Sequence, residues 1–80
     1  MNKRNLIGEN LKKYRKSSNL SQRSFVAKLN LIGLNLDQSS LARIETLKRE
    51  VYDYEVVYFA RVLKIDIKDL YSNTFDEIHL

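Results

Sequence analysis

Proline is absent from this eighty-residue chain and glycine occurs only twice, at Gly8 and Gly33, so almost nothing in the sequence interrupts a regular backbone. Apolar residues recur mostly three and four positions apart, the spacing that lines one face of a helix. Together these features predict an all-α chain. Eighty residues form one domain, and a chain this small removes only roughly 60% of its unfolded surface from water, so its core must be efficiently built.

Five helices follow from the periodicity and the cap residues. Leu6, Ile7, Leu11 and Tyr14 form the apolar stripe of the first, whose other faces carry Lys12, Lys13 and Lys16, and Ser17-Ser18-Asn19 ends it. Ser21 is the N-cap of the second, with Phe25, Val26, Leu29 and Ile32 turned inward. The alternating stretch around Gly33 is too isolated to pair as a strand and reads as the end of helix two followed by a turn. Asp37 caps a third helix over residues 38–47, with Leu41, Ile44 and Leu47 inward and Gln38, Ser39, Ala42, Arg43 and Thr46 outward. Asp53 starts a fourth, buried along Val56, Phe59, Ala60 and Leu63, with Tyr52 placed to staple onto Val57. In the short fifth, Asp66 is the N-cap and Asp69 the third helical residue, bracketed by Ile65 and Leu70.

Composition narrows the function classes. There is no cysteine, and His79 is the only histidine, so neither a disulfide framework nor a clustered metal site is expected. No glycine-rich phosphate loop occurs, His79 has no serine or cysteine partner in view, and Asp66 with Asp69 is a cap signature, so no catalysis and no cofactor are expected. Apolar stretches such as residues 56–60 fall far short of the roughly 18 residues a membrane span requires. The opening Met1-Asn2-Lys3-Arg4 leads into charged sequence rather than a signal-peptide core, and the expectation is a cytoplasmic protein without membrane contact.

Charge is distributed unevenly. Residues 1–50 hold eleven Lys and Arg against four Asp and Glu, a balance of +7, whereas residues 51–80 hold three against six, a balance of −3. A basic half on an acidic scaffold suits a polyanion partner, although many small proteins carry such a segment as a solvated surface.

The order of local signals is more specific. Leu20-Ser21-Gln22-Arg23-Ser24-Phe25-Val26, Ser39-Ser40-Leu41-Ala42-Arg43-Ile44-Glu45, Lys48-Arg49-Glu50, Tyr54-Glu55, and Ala60-Arg61-Val62-Leu63 through Asp69-Leu70 follow one another along residues 6–71. In this order they resemble the Cro/repressor-type, or XRE, helix-turn-helix family. The resemblance implies a five-helix, lambda-repressor-like helix-turn-helix domain over residues 1–71 with a tail over 72–80. It also implies that the second and third helices bind double-stranded DNA, the third in the major groove. Two positions depart from the family pattern: Val26 stands where alanine is usual, and the Asn30 to Leu36 turn is longer. Val26 is bulkier at a close helix contact, so a changed angle between helices two and three is expected.

On this reading Gln38, Ser39, Ala42 and Arg43 face the base edges. Glutamine can bond adenine through two hydrogen bonds, arginine can fork onto guanine, serine adapts to either, and alanine is small enough to permit approach. The bland alternative is a solvated face of an ordinary amphipathic helix. The resemblance places Gln22, Arg23, Thr46, Lys48 and Arg49 near phosphates, Gln22 from the first turn of helix two, where unpaired N–H groups favour an anion and where the family's glutamine often braces the residue opening the recognition helix. Arg15 and Glu45 occupy positions that in the family form a buried or half-buried ion pair between helices one and three. The expected role is a transcriptional regulator, most simply a repressor, acting as a homodimer on DNA through the fifth helix and the tail, with Leu70, Tyr71, Phe75 and Ile78 at the interface. The alternative is a protein-interaction module on the same fold, such as an antitoxin or antirepressor.

Overall fold

A computed structural model describes residues 3–74. Among these residues the chain is all-helical, without a strand: α1 Gly8–Ser17, α2 Gln22–Leu31, α3 Gln38–Glu45, α4 Asp53–Leu63 and α5 Ile67–Leu70. No helix among them is long and apolar enough to cross a membrane.

Side-chain acceptors fix where the helices begin. Ser21 Oγ accepts from the Ser24 amide at 3.0 Å and Asp37 Oδ1 from the Ser40 amide at 2.7 Å, each satisfying a donor that the first turn leaves unpaired. The start of α4 is held the other way, by Glu55 Oε1 accepting from the Tyr52 amide at 2.9 Å, and α5 likewise by Asp69 reaching back to the Asp66 amide.

The ends of the first four helices share one device. Asn19, Gly33, Leu47 and Lys64 all adopt positive φ, and the residue after each donates its amide to the carbonyl five positions earlier. Leu20 bonds Arg15, Leu34 bonds Leu29, Lys48 bonds Arg43 and Ile65 bonds Ala60, which is the Schellman closure of an α-helix. Only one of the four positions is glycine. Three of the four residues that follow are apolar, and they fold back into or against the core: Leu34 is 5% exposed, and Leu20 and Ile65 are half-buried.

These closures position the core. α1 packs on α3, α4 and α5; α2 lies between α3 and α4; and α5 closes against α4. Phe25 and Phe59 meet at the centre with ring centroids 6.0 Å apart, surrounded by Leu11, Leu29, Leu41, Ile44 and Leu70, all fully buried. Where α1 crosses α3 the backbones come so close that a Cβ added to Gly8 would stand 2.2 Å from the Ile44 carbonyl oxygen.

Several sequence expectations are corrected. Ile32, expected to face inward, caps α2 and is 40% exposed, because the reversal at Gly33 sends Leu34 and Leu36 into the core instead. The third helix ends at Glu45 rather than continuing to residue 47, since Leu47 takes the left-handed conformation that terminates it. Tyr52 does not staple onto Val57; its ring stacks on Tyr54 at 5.9 Å and both Tyr52 and Val57 stay exposed. Leu70 is completely buried and so offers no dimer surface, while Tyr71 remains partly exposed. Phe75 and Ile78 lie outside the described residues. The start of the tail is tied down, with Asn10 Nδ2 donating to the carbonyls of Leu70 and Ser72 and with Thr74 buried.

Gly8→Ala is expected to lower stability by about 1–3 kcal/mol, the range for forcing an extra carbon into a packed contact, because the atom it meets is backbone and cannot rotate away. Denaturant unfolding of the two proteins measures it.

Candidate nucleic-acid interface

The outer face of α3 is polar and unengaged. Gln38, Ser39, Arg43 and Thr46 are exposed and Ala42 is half-buried. The side chains of Gln38, Ser39 and Arg43 have no hydrogen-bond partner among the described residues. Thr46 differs, donating its hydroxyl to the Ala42 carbonyl at 2.9 Å, so it closes the helix end as well as facing outward.

The opposite face is fixed by charge. Arg15 Nε donates to Glu45 Oε2 at 2.6 Å and Nη2 to Glu45 Oε1 at 3.0 Å, with the side chains only 7% and 1% exposed. Arg15 Nη1 donates to the Leu20 carbonyl at 2.6 Å. Gln22 Nε2 completes the carboxylate, donating to Glu45 Oε1 at 3.0 Å. Gln22 is therefore turned toward the end of α3, not toward Gln38 at its start. One carboxylate thus joins α1, α2 and α3.

A second clamp follows α3. Arg49 forks onto Glu55, Nη1 to Oε1 at 3.1 Å and Nη2 to Oε2 at 3.0 Å, and Nη1 also donates to the Glu50 carbonyl. Its guanidinium lies 5.4 Å from the Tyr52 ring centroid. The bonds to Glu55 hold its pKa above the ordinary arginine value. Arg49 was expected beside a phosphate with Lys48; it is committed to the Glu55 clamp, and Lys48 is the exposed cation of that pair. Arg23 is also exposed, in the first turn of α2.

Asn5 is the positioning residue that the sequence reading missed. It is 3% exposed, its Oδ1 accepts from the Ile7 and Gly8 amides, and its Nδ2 donates to the carbonyls of Ile44 and Arg49. One side chain therefore starts α1 and closes the segment after α3. Asparagine's preference for helix starts was the available signal, three residues before Gly8. No group of three or more potential metal-ligating side chains occurs among the described residues.

Compared with family models, curated proteins and solved structures, the chain gives no match.

Removing either partner of the Arg15–Glu45 pair strands a buried charge. Arg15→Ala and Glu45→Ala are each expected to cost about 3–5 kcal/mol, and the double variant less than their sum. Unfolding of all four proteins in denaturant closes the cycle, and additive losses would show that the pair is not coupled. At the other end of α3, the Ser40 amide and hydroxyl hold the Asp37 carboxyl below its ordinary pKa. A depressed folded pKa means this cap stabilises α3 above the unfolded value and is lost as pH falls through the folded one. An NMR titration should find Asp37 protonating at lower pH than an aspartate in an unfolded peptide.

Proposed function

We propose that this protein binds double-stranded DNA sequence-specifically as a transcriptional regulator, most simply a repressor, with α3 in the major groove. The observation that carries this reading is the two-sided character of α3. Its inner end is locked by Glu45 to two other helices, while Gln38, Ser39 and Arg43 project outward without internal partners. A reading helix requires that combination, because base edges are discriminated by side chains whose own support does not move. The α2–turn–α3 unit, the exposed Arg23 and Lys48 beside it, and the Cro/repressor-type order of motifs support the same reading.

In this arrangement Gln38 and Arg43 supply bidentate donors and acceptors to bases, Ser39 adapts, and Ala42 leaves room for approach. Lys48 and Arg23 meet phosphates. Gln22 and Arg49 act mainly as supports, since their side-chain bonds go to Glu45 and Glu55. A second copy on an adjacent half-site, about one helical turn away, extends the sequence read by one short helix. The alternative, a protein-interaction module of the antitoxin or antirepressor kind, draws on the exposed Leu31, Ile32 and Val57, which line depressions that contain no α3 residue.

Selection from a random duplex pool, followed by affinity measurements on the selected and a scrambled site at several salt concentrations, tests the proposal. Phosphates are alike along the duplex, so Lys48→Ala should weaken both sites equally and reduce the salt slope by about one. Base edges differ, so Gln38→Ala or Arg43→Ala should cost about 1–3 kcal/mol on the selected site and much less on the scrambled one. An unchanged preference in Arg43→Ala would remove α3 from the role of reader. A wild-type protein with no duplex preference would transfer the argument to a protein partner.

A further inference from the structure

Two shallow depressions that share Ile32 and Arg61 form an apolar groove between the end of α2 and the outer side of α4, and no α3 residue lines it. Leu31 is 86% exposed, Ile32 40% and Val57 52%, although each is the kind of side chain a small fold normally covers. The groove has a basic rim of Lys28, Arg61 and Lys64, and no acidic side chain lines it. Its occupant must therefore offer apolar groups together with negative charge. Two grooves placed face to face fail this requirement, because they would set like charges against one another.

A short segment near the end of the chain has the required chemistry and lies outside the five helices. Phe75-Asp76-Glu77-Ile78 places two acidic residues between two large apolar ones, in a chain whose net charge is otherwise positive. We propose that this segment of a second copy of the chain occupies the groove, Phe75 and Ile78 covering Leu31, Ile32 and Val57 while Asp76 and Glu77 meet Arg61 and Lys64. The last described residue before it, Thr74, is buried near Asn5, Leu6 and Glu9. Exchange between two copies, when reciprocal, closes into a symmetric dimer. The inference goes beyond the DNA-binding proposal and does not depend on it.

Sedimentation equilibrium of the eighty-residue protein without DNA tests the proposal. The wild type should dimerise, more weakly as salt rises, because part of the contact is between exposed charges. Leu31→Ser and Phe75→Ser should each weaken the dimer by about tenfold or more, the consequence of exposing one large apolar side chain. Leu31 lies outside the core, so an unchanged helical circular dichroism spectrum separates lost association from lost folding. The decisive variants exchange charge: R61E/K64E and D76K/E77K should each weaken association, and their combination should restore it. A protein that stays monomeric, a dimer indifferent to Leu31→Ser, or charge variants that do not rescue each other would overturn the inference. Because no DNA is present, none of these outcomes bears on whether α3 reads a duplex.

Discussion

The orientation of α3 depends on one carboxylate. Glu45 lies at the last position of that helix and is almost wholly removed from water, a placement that would be severely unfavourable for an unpaired charge. Arg15 from α1 and Gln22 from α2 satisfy it, and the remaining Arg15 donor Nη1 goes to the carbonyl of Leu20 in the turn between those helices. A buried ion pair contributes little net stability compared with well-packed apolar groups, but it tolerates few geometries. Its value here is directional. Hydrophobic contact alone would let α3 roll against Leu11 and Phe25, whereas three directed hydrogen bonds to Glu45 specify which face stays outside.

The segment after α3 repeats the logic with neutral and charged groups together. Asn5 ties the Ile44 and Arg49 carbonyls to the start of α1, and Arg49 ties the same segment to Glu55 at the start of α4. No buried side-chain polar atom among the described residues lacks a partner. That completeness matters in so small a core, where a single unsatisfied group costs about 1–3 kcal/mol, a sizeable fraction of total stability.

Much of the helical scaffold was legible in the sequence because periodicity and caps are local signals. Ser21, Asp37 and Asp66 mark helix starts by the chemistry of their side chains. Helix ends were less legible, and the reason is specific. The left-handed residue that closes a helix is usually glycine, and here Asn19, Leu47 and Lys64 perform that step. With no glycine at residue 47, the apolar pattern of α3 runs on past Glu45. Ile32 was misplaced similarly, since a period of three or four keeps pointing inward after the chain has already reversed at Gly33. The α3 outer face was readable as a face, but Gln22 bonding Glu45 and Arg49 bonding Glu55 are long-range pairings that no spacing rule reveals. Asn5 is the clearest case, because its partners lie some forty residues away.

Those pairings also change what the charge distribution means. The basic first half of the sequence is not one continuous polyanion-binding surface: Arg15 and Arg49 neutralise Glu45 and Glu55 within the fold, and Arg4 lies 3.5 Å from Glu50. Lys28 belongs to the apolar groove, remote in character from the polar α3 face. Of the other cations in that half, Arg23, Arg43 and Lys48 lie on α2, on α3 and just after α3, whereas Lys3, Lys12, Lys13 and Lys16 are exposed on or before α1. On the DNA-binding proposal, the phosphate contacts supplied by the α2–α3 unit alone, Arg23 and Lys48, give it a shallow salt dependence. Useful affinity then has to come from pairing two protomers on adjacent half-sites. On that proposal the surface that would pair them becomes as important to function as the helix that would read the bases.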